Sequence, residues 1–164
     1  VEVSGSGRRA RDDDPYFGTV TAQEDLHHAL AAADWVVCIA PLTDATRGMF
    51  DAAAFRAMPD HARFINVGRG ESVVTDDLVD ALRSGTIAGA ALDVFDTEPL
   101  PQDHPLWDLA GVHITPHSSG DFIGWRDELV RLFADNFARW VDDEPLRHVV
   151  DTSLGYVPTD GSTV

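Results

Sequence analysis

Trp35-Val36-Val37-Cys38-Ile39-Ala40 is an unbroken apolar run closed by Pro41. Its length suits a strand, and its continuous apolarity is expected of one buried on both faces of a parallel sheet; Pro41 ends it by removing an amide donor. Upstream, Thr21-Ala-Gln-Glu24 has the pattern of a capping box, and Leu26, Ala29, Leu30 and Ala33 form a stripe, so a helix is expected over 22–33. Val1-Glu2-Val3-Ser4 alternates and predicts a short strand stopping at Gly5-Ser6-Gly7, with loop over 8–18. Downstream the rhythm repeats: a helix near 51–58 closed by Met58-Pro59, a strand at 63–67, and a helix at 75–84 with Thr75 as cap and Gly85 as terminator. Strands follow at Ile87 to Val94 and Val112 to Thr115. A long helix over 121–142 has Leu129, Leu132, Phe133, Asn136, Phe137 and Trp140 on one mostly apolar face. Short apolar strands alternating with amphipathic helices predict an α/β fold with a doubly wound parallel sheet. After Pro145 the periodicity lapses, and Asp160-Gly-Ser-Thr-Val164 reads as a frayed end.

The 164 residues fit one domain, or one domain and a tail, and 44% hydrophobic content suffices for a core. With 28 acidic against 12 basic residues the formal charge is -16, which disfavours nucleic acid and anionic membrane surfaces as partners. The basic residues are all arginines. A single cysteine, Cys38, excludes an internal disulfide framework and is expected to be a buried, inert thiol. No apolar run reaches the ~20 residues of a membrane span, and Val1-Glu2-Val3 does not resemble a signal peptide, so a cytoplasmic location is expected. The first residue is not methionine, and the chain is expected to be processed, truncated or part of a longer product.

Ligands of open parallel sheets bind beyond the carboxyl ends of the strands. There the sequence places Ala40-Pro41-Leu42-Thr43, then Gly68-Arg69-Gly70, then Asp93 with Glu98-Pro99 beyond it, then Pro116-His117-Ser118-Ser119-Gly120. Arg69 has a plain reading as a solvated cation, but its flanking glycines suggest backbone pressed against a ligand. His117 has a structural reading too, outweighed by its place at a strand end before a helix. Glu98 alone fits a turn equally well; beside His117 and Arg69 it becomes a candidate histidine partner. His113 and His117 do not make a credible shared metal site, and no metal is expected.

Asn66-Val-Gly-Arg-Gly70, Ala91-Leu-Asp-Val-Phe-Asp-Thr-Glu-Pro99 and Thr115-Pro-His117, in that order, resemble the D-isomer-specific 2-hydroxyacid dehydrogenases. Ala40-Pro-Leu-Thr-Asp-Ala-Thr-Arg-Gly48 resembles the segment preceding them. The resemblance implies a Rossmann-like dinucleotide-binding domain and hydride transfer between NAD(P) and a small 2-oxo or 2-hydroxy acid, nearest to glyoxylate/hydroxypyruvate reductases. It implies that Arg69 binds the substrate carboxylate and carbonyl, that His117 is the acid/base and that Glu98 is its partner. Ala40, Pro41, Val67, Gly68, Asp93 and Ser118 would line the cofactor site. It also implies pairing into a homodimer through this domain. The chemistry agrees: an arginine fork grips a carboxylate, and a histidine supplies the proton to the carbonyl oxygen.

The resemblance also implies a first strand and a Gly-x-Gly-x-x-Gly turn opening a helix. Gly5-Ser-Gly7-Arg-Arg-Ala10 fits that spelling but is a decoy, because Arg11-Asp-Asp-Asp-Pro15 is a poor helix. Val1 to Ser4 then align with the second strand, and the first strand and glycine turn are expected ahead of Val1. Ser6, Arg8 and Arg9 fall where a dinucleotide's 2'-substituent would lie; arginines there, with no acidic residue, favour NADP over NAD. The expected division is a partial dinucleotide-binding domain over 1–148 and a tail over 149–164 returning toward a substrate domain. Two rivals stay open: a catalytically silent dinucleotide-binding or assembly module, and another nucleotide-binding enzyme of this fold. Phe122, Ile123 and Trp125 suit an interface, an active-site rim or a core helix face equally.

Overall fold

The computed structural model describes residues 1–158, and the chain divides into two compact units, the first Val1–Pro116 and the second beginning at His117. In the first unit, the apolar segments predicted as strands become β4 (Trp35–Cys38), β5 (Arg63–Asn66), β6 (Gly89–Leu92) and β7 (Val112–Ile114). They form one parallel sheet in the order β4-β5-β6-β7, with Val36 opposite Phe64 and Phe64 opposite Ala90. Parallel neighbours need crossovers, and α2 (Ala52–Ala57) and α3 (Thr75–Ser84) provide two of them. Phe50, Phe55 and Phe64 fill the space between sheet and helices, Phe64 lying 4.7 Å from Phe50 and 5.5 Å from Phe55 between ring centroids. This is the flanked parallel sheet that the sequence predicts.

Helix α2 owes its start to two carboxylates. Asp51 accepts from the Ala53 and Ala54 amides at 2.9 Å each, and Asp77 of α3 accepts from the Ala52 amide at 2.8 Å. The Ala54 amide holds the Asp51 carboxyl below its ordinary range, opposed by burial and helped to a smaller degree by the Ala53 amide. Gly85 closes α3 in the left-handed conformation, φ 72°. Thr75, expected to cap that helix, is its first residue; Val74 holds the cap position with no side-chain bond.

The first thirty residues depart from expectation. Val1 to Ser4 is not a strand: Val1 and Val3 are exposed, and the strand β1 is Gly5–Gly7. The expected loop over 8–18 contains β2 (Arg11–Asp14) and the start of β3 (Gly18–Ala22). β3 is central in this small sheet, parallel to β1 and antiparallel to β2. Asp14 turns the chain between β2 and β3 by accepting from the Tyr16 and Phe17 amides. The capping box does not form, because Thr21 lies within β3 and its hydroxyl donates to the Gly5 carbonyl. Instead of a helix over 22–33 there is a 3₁₀ turn at Gln23–Asp25 and a short α1 (Leu26–Leu30). β4 is buried on one face only: Val36 and Cys38 point inward, while Trp35 and Val37 are 59% and 53% exposed. Arg63 covers part of that face, its guanidinium 5.2 Å from the Trp35 ring centre.

The second unit is built on α4 (Trp125–Val141), preceded by Gly124 in the left-handed region. Phe133 stacks on Phe137, which packs on Trp140. Asn136 does not join the apolar face; its amide group clasps the Arg147 backbone in both directions, donating to the carbonyl and accepting from the N–H at 2.8 Å. Phe122 and Ile123 are exposed, so a core helix face does not account for them. The expected frayed end, Asp160 to Val164, lies outside the described residues. Among the described residues no helix is long and apolar enough to cross a membrane.

Candidate functional site

Because the four strands run parallel, their exits lie on one edge of the sheet. At the exit of β4, the Thr46 hydroxyl donates to the Pro41 carbonyl at 2.6 Å and accepts from the Thr43 amide at 2.8 Å, knotting Ala40-Pro41-Leu42-Thr43 into one conformation. At the exit of β5, the Val67 amide donates to the Cys38 carbonyl, so the two exits are joined. At Gly68 they are in close contact: a Cβ there would sit 2.9 Å from the Ala40 carbonyl oxygen. The segment after Arg69 is bound back to the β4–α2 connection through Gly48 N–H to Glu71 O and Phe50 N–H to Ser72 O. Beneath these loops Cys38 is buried as expected; burial pushes its thiol up against smaller opposing effects of the Ala40 backbone and the Ser72 hydroxyl.

Arg69 is exposed and extended, with φ -139° and ψ 142°. Its Nη1 donates to the Gly68 carbonyl at 2.7 Å. Gly70 is pressed against the loop after β6: a Cβ would lie 1.8 Å from the Phe95 carbonyl carbon and 2.3 Å from the Asp96 nitrogen. In that loop Glu98 accepts from the Phe95 amide at 2.9 Å. Arg69 and Glu98 are therefore carried on two loops in direct backbone contact, and no residue but glycine fits at the contact. Asp93, 3% exposed, closes the exit of β6; it accepts from the Thr115 hydroxyl, while its amide donates to the Asn66 carbonyl at 3.0 Å.

His117 and Ser118 open the second unit, two and three residues beyond Thr115. His117 adopts φ 52°, a left-handed conformation uncommon for a non-glycine residue. The Ser118 carbonyl accepts from the Asp121 amide at 2.9 Å, turning the chain toward α4.

Ser118 aside, which lies in the second unit, the candidate cofactor residues separate into two groups. Ala40, Pro41, Val67, Gly68 and Asp93 belong to the carboxyl edge just described. Ser6 lies in β1, and Arg8 and Arg9 follow it on an exposed bend. Two guanidinium groups beside a hydroxyl have the donor chemistry for a phosphate monoester. The glycine spelling at Gly5 to Ala10 is a strand leading into β2 rather than a turn opening a helix, as the reading of it as a decoy requires. Sequence reasoning missed the Thr43–Thr46 knot, whose signal was a threonine pair three apart after a proline, and the two side-chain bonds of Asn66 to the Arg69 loop.

The sequence pattern described as "D-isomer specific 2-hydroxyacid dehydrogenase, NAD binding domain" matches residues 1–119. The chain belongs to this family. It is 43% identical over 156 residues to an uncharacterized protein in the proB 3' region of Corynebacterium melassecola, covering 95% of this chain and 50% of that protein. It is 34% identical over 148 residues to glyoxylate/hydroxypyruvate reductase A of Klebsiella pneumoniae, covering 90% of this chain and 47% of that protein. Among solved structures, the NADPH-dependent glyoxylate/hydroxypyruvate reductase of Sinorhizobium meliloti, in complex with NADP and sulfate, superposes with a TM-score of 0.80 at 36% identity, covering 94% of this chain and 49% of that one. The chain thus spans about half the length of the relatives it matches.

Proposed function

We propose that the protein to which this chain belongs is an NADP-preferring reductase of small 2-oxo acids, of the glyoxylate or hydroxypyruvate type. The observation that carries the reading is the contact of Gly70 with Phe95 and Asp96, which holds the loop of Arg69 against the loop of Glu98 at the carboxyl edge of a dehydrogenase-family sheet. Similarity to glyoxylate/hydroxypyruvate reductases, one of them solved with NADP, supports the substrate class and the cofactor.

In this reading Arg69 offers its planar fork to the substrate carboxylate and carbonyl, holding the carbonyl carbon open to attack. NADPH, when bound, supplies the hydride. His117 delivers the proton to the carbonyl oxygen, and Glu98 stabilises the imidazolium. Ala40, Pro41, Val67, Gly68, Asp93 and Ser118 line the nicotinamide side. Ser6, Arg8 and Arg9 meet the 2'-phosphate, with the arginines neutralising it. Residues 1–148 belong to the dinucleotide-binding domain, and 149–164 lead toward a substrate domain.

The test is steady-state reduction of glyoxylate and hydroxypyruvate by the complete gene product with NADPH and with NADH. Turnover with NADPH, falling by ~10²-fold or more in His117→Ala, is expected. No turnover with either acid, or unimpaired turnover in His117→Ala, would overturn the reading.

A further inference from the structure

Asn66 is the last residue of β5, and its side chain, 1% exposed, does not enter the chemistry proposed above. A buried amide costs free energy unless its donors and acceptor are used. Both ends of this amide are used on the same loop: Oδ1 accepts from the Gly68 amide at 3.1 Å, and Nδ2 donates to the Arg69 carbonyl at 3.0 Å. The Asn66 main chain is fixed in turn, paired with Cys38 and Leu92 across the sheet, its carbonyl accepting from Asp93. The Gly68 residue held by Oδ1 also bears the carbonyl that receives Nη1 of Arg69 at 2.7 Å. A continuous path therefore runs from the rigid centre of the sheet through the Asn66 amide to the guanidinium. An isosteric leucine would fill the space and hold neither end.

The geometry points to Asn66 as a positioning residue that aims Arg69 at the substrate carboxylate; this rests on the function proposed above. Its effect on substrate capture passes through Arg69, so that part of the effect must vanish when Arg69 is absent. The two bonds hold consecutive residues of the loop, and their loss is expected to loosen the backbone that carries the guanidinium.

The experiment is a double-mutant cycle in the complete gene product, with Asn66→Ser, Arg69→Ala and the pair, reading kcat, KM for glyoxylate and the Kd of NADPH. Asn66→Ser is expected to lower kcat/KM for glyoxylate by ~10-fold or more at saturating NADPH, chiefly through KM, with a smaller change in the Kd of NADPH because Gly68 also borders the nicotinamide side. In the Arg69→Ala background the same change is expected to have an effect of about twofold or less. Should Asn66→Ser fail to fold, Asn66→Leu, which fills the space and holds neither end, carries the same cycle and the same exchange readout. Amide exchange at Gly68, which does not depend on turnover, is expected to accelerate in Asn66→Ser. Equal factors in both backgrounds, or unchanged exchange, would overturn the assignment of Asn66 while leaving the proposed function standing. Absence of turnover in the parent protein would overturn that function and this role with it.

Discussion

Replacing Gly70 by alanine tests the contact that joins the two site loops. The added Cβ would meet the Phe95 carbonyl carbon at 1.8 Å and its oxygen at 2.0 Å, where ordinary contacts begin near 3.4 Å. All the opposing atoms are main chain, so no rotamer change can relieve the overlap. One backbone must retreat by about 1.5 Å, a displacement larger than the ~1 Å that already costs ~10²-fold when reacting groups are misplaced. Gly70→Ala is therefore expected to lower kcat/KM for 2-oxo acid reduction by ~10²-fold or more and to destabilise the fold by ~1–3 kcal/mol or more, the range of overpacked cores. Gly120, where an added Cβ meets nothing within 4 Å, supplies the control for the stability measurement. The assays are urea denaturation and steady-state kinetics on the same preparations. A Gly70→Ala protein with unchanged midpoint and near-parental kcat/KM would refute the claim that the contact admits glycine alone.

Replacing Arg8 and Arg9 together by alanine is expected to weaken NADPH far more than NADH, measured by fluorescence titration; equal losses would remove them from the 2'-phosphate site. Asp51→Ala should cost ~1 kcal/mol at neutral pH through loss of the α2 cap. Because folding lowers the pKa of the Asp51 carboxyl, its stabilisation is full above the unfolded value near ~3.9 and fades as pH falls through the folded one, so denaturation curves of parent and variant should converge in acid. Cys38 is 2% exposed with its thiol pushed up by burial, so it carries less thiolate than a free cysteine at pH 8. A thiol reagent is expected to label it only on unfolding, and rapid labelling of the native protein would contradict its placement.

The elements that could be read in the sequence are those whose side chains meet the core. Phe64 and Leu92 lie on strands whose apolar runs announce them, and Leu78, Val79 and Ala81 mark the inner face of α3. β2 is the opposite case: Arg-Asp-Asp-Asp has no apolar residue, and the strand exists because its main chain pairs with β3, a partner no local pattern reveals. Thr21 failed as a cap because the Gly5 carbonyl, sixteen residues earlier, takes its hydroxyl. In Trp35 to Ala40 the continuous apolarity suggested two buried faces, but composition does not record what lies above Trp35 and Val37, and both are exposed. The site was legible where glycines bracket Arg69, since close backbone approach leaves that mark. Asn66 was not, because a polar residue ending a buried strand gives no sign of which backbone atoms it serves.

The shared capping of α2 bears on how the first unit comes apart. A helix of six residues has too few internal bonds to repay its nucleation in isolation. One of its leading amides, that of Ala52, is satisfied by a carboxylate lent by α3, and Phe55 is buried in the same layer as Leu78. Detaching α3 removes that carboxylate and part of the apolar cover together, so α2 has no partially open state in which it persists alone. The two helices should exchange their amide protons as one cooperative unit, with a common opening free energy, although the Ala52 amide and the Asp77 carboxylate that caps it lie twenty-five residues apart in the chain.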